Sequence, residues 1–459
     1  MLDTSLSFDS KQWSDRIPLW CILGWAVSAP VSIAVSQVFI GLSFAAIMVK
    51  IIFKLPDIIP HLMREPVRNN CPKNPIATIL LPGGKSTIIL LIAIAIWLLS
   101  QIPSLLISPE PALSWQGFGS SEWLIILCLA VLWSGANDKW IVRWILGLGV
   151  VSSVVALYTL WQHSNGWNDV TGQSLTQMGM FFRAEGFFSS CLTLAGFQLA
   201  VLGLVGTVAF HLPPCYCRGE KKGGLPSTSR FLINSEWFWG LILVLVGLSL
   251  VTTYARGAWV AAIVILILLI VNKKGWKYRW VWLVATILLV VGVLLLLPEA
   301  LGRLESVFQI KGSGRLALWQ GAIEMWRNHP WTGIGIGRFQ EVFPKVFSGS
   351  GFVDSYCHAH SDPLNRLAET GIIGILGALV LWGVIAWMGW RIWRTNNPNL
   401  RVILGQAGAV GLLALWIAGW SQCYYTDAEV GAVWWFMVGL IGIAKQETEQ
   451  SQVLSGVHT

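Results

Sequence analysis

Charge is scarce in this chain. Only 12% of its 459 residues are charged, where a soluble domain carries about 25%. That shortage excludes a large soluble protein, which would need a far more charged exterior. The chain also lacks a cysteine framework. Its eight cysteines are scattered, several inside apolar runs, and Cys215 and Cys217 stand too close together for a zinc knuckle. No cleavable leader is expected either: Asp3 and Asp9 precede the first basic residue, Lys11, and no small-residue cleavage site follows a lone apolar run. The first span is therefore the expected insertion signal. No phosphate loop is present, because the GGKS at 83–86 would need a glycine where Ile79 stands. What the chain has instead is apolar surface, 55% of residues with a mean hydropathy of +0.64, in runs of membrane-spanning length. Its 28 tryptophans gather near run ends, as at Trp133, Trp140, Trp161 and Trp237, where interfacial rings anchor spans.

The pattern predicts an all-α polytopic membrane protein with about 12 transmembrane helices. Residues 1–16 form a cytoplasmic leader. Residues 17–297 hold helices 1–9, with Pro30 dividing the first long run into spans at about 17–28 and 31–53. Spans 3 to 9 fall near 86–107, 119–135, 140–161, 190–212, 236–253, 254–271 and 279–297. Residues 298–370 form a large, mainly helical outer loop before helix 10. Residues 371–444 hold helices 10–12, and 445–459 are a cytoplasmic tail. With the N-terminus inside, nine of the 31 Lys and Arg residues fall outside: Arg183, Arg256, Arg303, Lys311, Arg315, Arg327, Arg338, Lys345 and Arg366. The remainder lie on the inner side, as the positive-inside rule requires.

Those nine basic residues need an explanation, and anion binding is one. Arg183 lies in FFRAEGFFSS before span 6, Arg256 in TTYARGAWV at the outer end of span 8, and Arg315 at the start of a helix in the loop. An arginine near membrane depth is costly unless paired or serving a ligand, and its fork suits pyrophosphate oxygens. Pairing of Arg183 with Glu185 is the plainer alternative. In the loop, Ser313 is placed to cap a helix over 315–328, with Leu316, Trp319, Ile323 and Trp326 as its apolar stripe, ended by Pro330. WTGIGIGRF at 331–339 follows no strand, so it reads as a turn with close backbone approach. The densest polar stretch is Asp354 to Gly374. It holds His358 and His360, either of which can take a proton near neutral pH or order the loop through hydrogen bonds. Asp362 is the expected N-cap and Pro363 the first turn of a helix carrying Asn365, Arg366 and Glu369 into span 10.

These residues resemble the O-antigen ligase and O-antigen polymerase superfamily, enzymes of the bacterial inner membrane that act on lipid-linked oligosaccharides. The family signature is His, then Asn, Ser or Gln, nine arbitrary residues, Gly, two more, then Gly, Thr or Tyr. His360-Ser361, residues 362–370, Gly371, Ile372-Ile373 and Gly374 fit it without a gap. HPWTGIG, RAEGFFSS and the ARG at 255–257 resemble neighbouring family segments; Tyr254 departs where Ser precedes Arg in many members. The resemblance implies a glycosyltransferase that moves a glycan from a polyprenyl pyrophosphate to an acceptor hydroxyl on a glycan, lipid core or protein, at the periplasmic face. It implies no nucleotide, metal or other cofactor. It assigns His360 as catalytic base or acceptor-orienting group, and Arg183, Arg256 and Arg315 to the pyrophosphate. His358, Asp362, Arg366 and Glu369 are supporting residues. Some relatives are described as bicarbonate transporters and others glycosylate pilins. Transport would call for polar or broken spans near mid-membrane, and 186–212 and 236–251 show little polarity there.

Overall fold

Pro30 lacks a backbone N–H and cannot continue a helix, so the first apolar run folds back on itself. In the computed structural model, α1 (Ser10–Ser28) and α2 (Ile33–Met63) form a hairpin across this turn. The structure describes residues 10–63, 84–211, 236–272, 314–347, 358–395 and 398–454. The predicted span at 279–297, the loop from 298 through Ser313, Asp354, Cys215 and Cys217 lie outside the described residues.

The chain continues through α3 (Lys85–Ile107), α4 (Pro111–Glu122), α5 (Ile125–Trp133), α6 (Asp138–Asn165) and α7 (Cys191–His211). Then come α8 (Glu236–Thr252), α9 (Arg256–Asn272), α10 (Arg315–Asn328), α11 (Phe339–Val346), α12 (Asp362–Trp393), α13 (Leu400–Gly419) and α14 (Ala428–Leu454). Asparagine caps start two of them after short turns. The Asn137 side chain accepts from Trp140 N at 3.2 Å, and Asn399 accepts from Val402 N at 2.9 Å.

Among the described residues, eight helices are long and apolar enough to cross a membrane. They match the predicted spans 2 to 6 and 10 to 12. The predicted spans 7 and 8 form two shorter apolar helices, Trp237–Thr252 and Arg256–Asn272. Span 1 falls within α1, outside those eight. Span 4 starts earlier than expected, at Pro111, and breaks at Trp123 and Leu124 into α4 and α5. In the polar interval at 162–189, residues 162–165 complete α6 and the rest is not helical. It folds into two small antiparallel hairpins, β1 (Trp167–Asn168) with β2 (Gln173–Ser174), and β3 (Gln177–Met178) with β4 (Phe181–Phe182).

The core is one large cluster through the helix bundle, with Trp25, Trp144, Phe197, Trp435 and Phe436 fully buried. Large apolar side chains such as Leu99, Leu106, Val244 and Leu379 are exposed on the outside. That inversion suits a lipid surround, where close packing rather than water exclusion joins helices. The α7–α13 crossing follows that rule: a Cβ on Gly203 would sit 2.7 Å from the Gly411 Cα.

The loop helix α10 spans the residues predicted, but it buries a neighbouring face. Leu318, Ala322 and Met325 pack with Ile334, Phe339, Phe343, Ala359 and Ala368, whereas Leu316, Trp319, Ile323 and Trp326 are only half-buried. The buried face is rich in small residues, Ala317, Gly321 and Ala322, and packs against Ala359 and Ala368. This satellite core fixes the loop to the head of α12.

Candidate functional site

The head of α12 is bound to the short segment between α13 and α14. Ser361, not Asp362, occupies the N-cap, and it makes no side-chain cap bond. Asp362 is the first helical residue. Its carboxylate turns away from its own helix and accepts from Tyr424 N at 3.3 Å and Tyr425 N at 3.2 Å. The Ser361 backbone N–H meets the Cys423 sulfur. One residue earlier, His360 Nδ1 pairs with Gln422 Oε1. Three successive residues, 360 to 362, are thus joined to residues 422–425, which act as a strap.

His360 has a left-handed backbone, with φ at +47°. Such a conformation costs roughly 1–2 kcal/mol for a residue with a Cβ and turns the ring toward the strap. His358 supports it: its Nδ1 accepts from His360 N at 3.2 Å, and the two rings lie edge to face with centroids 4.4 Å apart. Burial, and then the neighbouring His360, push the His358 pKa down to about 3. His358 is therefore a neutral acceptor at ordinary pH. Asn365 Oδ1 accepts from Ala359 N at 3.1 Å and closes the turn.

The three arginines come from distant segments. Arg183 follows β4, and its Nε donates to Thr253 O at 2.7 Å, while Ala184 N donates to Thr252 O at 3.1 Å. Those two bonds dock this segment on the break between α8 and α9, and the Gln162 amide oxygen near the end of α6 accepts from Glu185 N at 3.1 Å and Gly186 N at 2.7 Å. Glu185 is engaged by Asn168 Nδ2 at 3.3 Å. Burial raises the Glu185 pKa; the Asn168 bond and Arg183 oppose that shift. Arg256 begins α9 directly after the break, where Tyr254 has φ at +52°. Arg315 begins α10. Its cap is Gly314 at φ +66°, with no side-chain cap bond.

Arg256 lies within electrostatic reach of both Arg315 and Arg183. Burial lowers the Arg315 pKa; nearby Tyr424 favours its charged form and Arg183 disfavours it. A partly buried gathering of like charges is costly alone and favourable around an anion. Tyr424 belongs to the strap, two residues after Gln422. On the same strap, Asp427 Oδ2 accepts from Thr193 Oγ1 at 3.0 Å, and burial raises its pKa to about 7. The strap therefore touches His360 with one residue and lies near Arg315 with another.

Arg366 and Glu369 lie apart from this cluster. Arg366 reaches Gln101 Oε1 at 3.2 Å and Glu122 Oε1 at 3.3 Å, between the rings of Trp97 and Tyr425 at 4.8 and 4.4 Å. Glu122 also accepts from Trp97 Nε1 at 2.9 Å and Tyr425 OH at 2.7 Å. This buried knot ties α12 to the α4–α5 break. Glu369 accepts from the Gly337 and Phe339 backbone and from Asn365.

The WTGIGIGRF turn approaches backbone closely, as its glycines predicted. Ile334 N and Gly335 N donate to Ala368 O and Glu369 O at 3.0 and 3.1 Å, and Ile372 N donates to Pro330 O at 2.9 Å. The helix opens to allow this at Gly371, φ +62° and ψ −162°. A Cβ on Gly371 would lie 2.5 Å from the Trp331 carbonyl carbon, and one on Gly333 would lie 2.3 Å from that of Glu369.

A family model described as O-Antigen ligase matches residues 241–379. Over those residues the chain is similar to the O-antigen ligase/polymerase superfamily. No curated protein matches the chain. The O-antigen ligase segment takes in Arg256, Arg315, the WTGIGIGRF turn, both histidines and the first half of α12. Arg183 and the strap lie outside it, on either side in sequence. Gln422, Tyr424 and Asp427 fall within 371–444, read from the sequence only as helices 10–12. The available signal was compositional: SQCYYTD at 421–427 is polar between two apolar helices.

Proposed function

We propose that this chain transfers or polymerises an oligosaccharide carried on a polyprenyl pyrophosphate, onto an acceptor hydroxyl at the periplasmic face of the inner membrane. The setting is O-antigen or exopolysaccharide biogenesis. The observation that carries this reading is the strap, which holds His360 through Gln422 and lies near Arg315 through Tyr424, with Arg183 and Arg256 within electrostatic reach of Arg315. A proton acceptor and a cationic cluster beside one short segment suit a reaction in which a hydroxyl is deprotonated while a pyrophosphate departs.

In this mechanism the acceptor O–H gives its proton to His360. The hydroxyl oxygen forms a bond to the anomeric carbon. The bond from that carbon to the phosphate oxygen breaks, and its electron pair leaves with the lipid pyrophosphate. Attack opposite the leaving group inverts the anomeric centre. The arginines neutralise the charge that builds on the departing oxygens. His358, Asp362, Arg366 and Glu369 hold the histidine and the loop rather than touch substrate.

The test is His360→Ala beside Arg256→Ala in cells, with surface polysaccharides resolved by size. Both variants are expected to lose transfer at normal protein levels. Polymer retained on carrier lipid marks a ligase; single repeats on the final acceptor mark a polymerase. Normal glycan patterns in both variants overturn the reading.

A further inference from the structure

The strap is held to the head of α12 by contacts that do not need the Gln422 side chain. Asp362 binds two strap amides, and the Ser361 N–H meets the Cys423 sulfur. The Gln422 side chain is buried, only 4% exposed, and its amide oxygen addresses the ring nitrogen of His360. A carbonyl oxygen can only accept, so Nδ1 of His360 must carry the hydrogen in this pair. That leaves the lone pair of the neutral ring on Nε2. The backbone N–H of His360 is already taken by His358 Nδ1.

We propose that Gln422 is the positioning residue that sets the His360 tautomer, with the hydrogen on Nδ1 and the lone pair on Nε2. This rests on the reading of His360 as the proton acceptor. An imidazole that takes a proton during a reaction works best when its other nitrogen donates to a fixed partner. An amide fills that role without adding a charge, and it orients the ring. No part of the O-antigen ligase match reaches Gln422.

Among the described residues, the titratable and charged groups near this contact include His358 before His360, Asp362 at the first turn of α12, Tyr424 on the strap and Asp427 just beyond it. Arg315 on α10 faces that strap. None of them is altered chemically when Gln422 alone is changed. Differences between Gln422 variants therefore report the contact with the imidazole.

The probe is diethyl pyrocarbonate, which acylates neutral imidazole nitrogen. The full chain in detergent is treated across pH, and modification of the His360 peptide is followed by mass spectrometry. The variants are Gln422→Glu and Gln422→Leu, each compared with the parent for melting temperature. Glutamate keeps the shape and places a carboxylate on Nδ1, so the midpoint moves to higher pH and the rate below it falls about tenfold. Leucine removes the acceptor, so the midpoint moves to lower pH. In cells, Gln422→Leu loses glycan transfer at unchanged protein level. Coincident midpoints in the three folded proteins overturn the proposal, as does a His360 that stays unreactive in the parent. If His360→Ala leaves glycans normal, the catalytic reading falls while the midpoint order still tests the contact. If His360→Ala abolishes transfer and the midpoints coincide, only the assignment of Gln422 falls.

Discussion

Arg366 and His358 show how burial gives a polar side chain its role. Arg366 is buried beside Glu122 with two aromatic rings over its faces. Truncating one partner strands the other charge, at a cost of about 3–5 kcal/mol. Arg366→Met is therefore expected to lower the melting temperature in detergent strongly, and adding Glu122→Gln to recover part of the loss. A double-mutant cycle on melting measures that coupling. His358 makes the opposite case. Its folded pKa of about 3 lies below the ordinary 6.5. Between those values the unfolded chain binds a proton that the folded chain refuses, so stability falls as pH drops from 6.5 toward 3. His358→Asn keeps an acceptor for the His360 N–H and is expected to flatten that part of the melting curve against pH.

The turn at 331–339 and the break in α12 were legible as separate local features. Glycine spacing pointed to close backbone approach, and Gly371 marked the start of span 10. That each one receives the other's backbone depends on contacts across the fold. The positive φ at Gly371 and its near contact with Trp331 leave no room for a methyl group. Gly371→Ala is expected to cost roughly 1–3 kcal/mol from backbone strain, with more from displacement of the turn. It should also cut glycan transfer, because the turn helps hold the head of α12. Gly383→Ala is the control: a Cβ there meets nothing within 4 Å, and melting should change little. The face of α10 was misjudged for a related reason. Periodicity ranks residues by size and apolarity, whereas the face that packs against Ala359 and Ala368 is the one rich in small residues.

For the molecule as a whole, the charge bias carries a prediction of orientation. Arg327 on α10 and Arg394 after α12 are both exposed and are expected on opposite sides of the membrane. Cysteine at 327 should react with an impermeant maleimide in spheroplasts, above the background of the parent. Cysteine at 394 should react only after the membrane is opened. Labelling of both in sealed spheroplasts would refute the arrangement.

The helical membrane body, most span positions and the candidate residues Arg183, Arg256, Arg315 and His360 were readable from residue order. Run length, charge bias and local motifs are properties of contiguous sequence. Which of these residues meet was not readable in that way. Gln422 stands 62 positions from His360, and Glu122 stands 244 from Arg366. No local spacing encodes such pairs. Folding also separated the supporting residues, sending Asp362 to the strap and Arg366 to a buried knot, because each polar group turned to the partner that could satisfy it away from water.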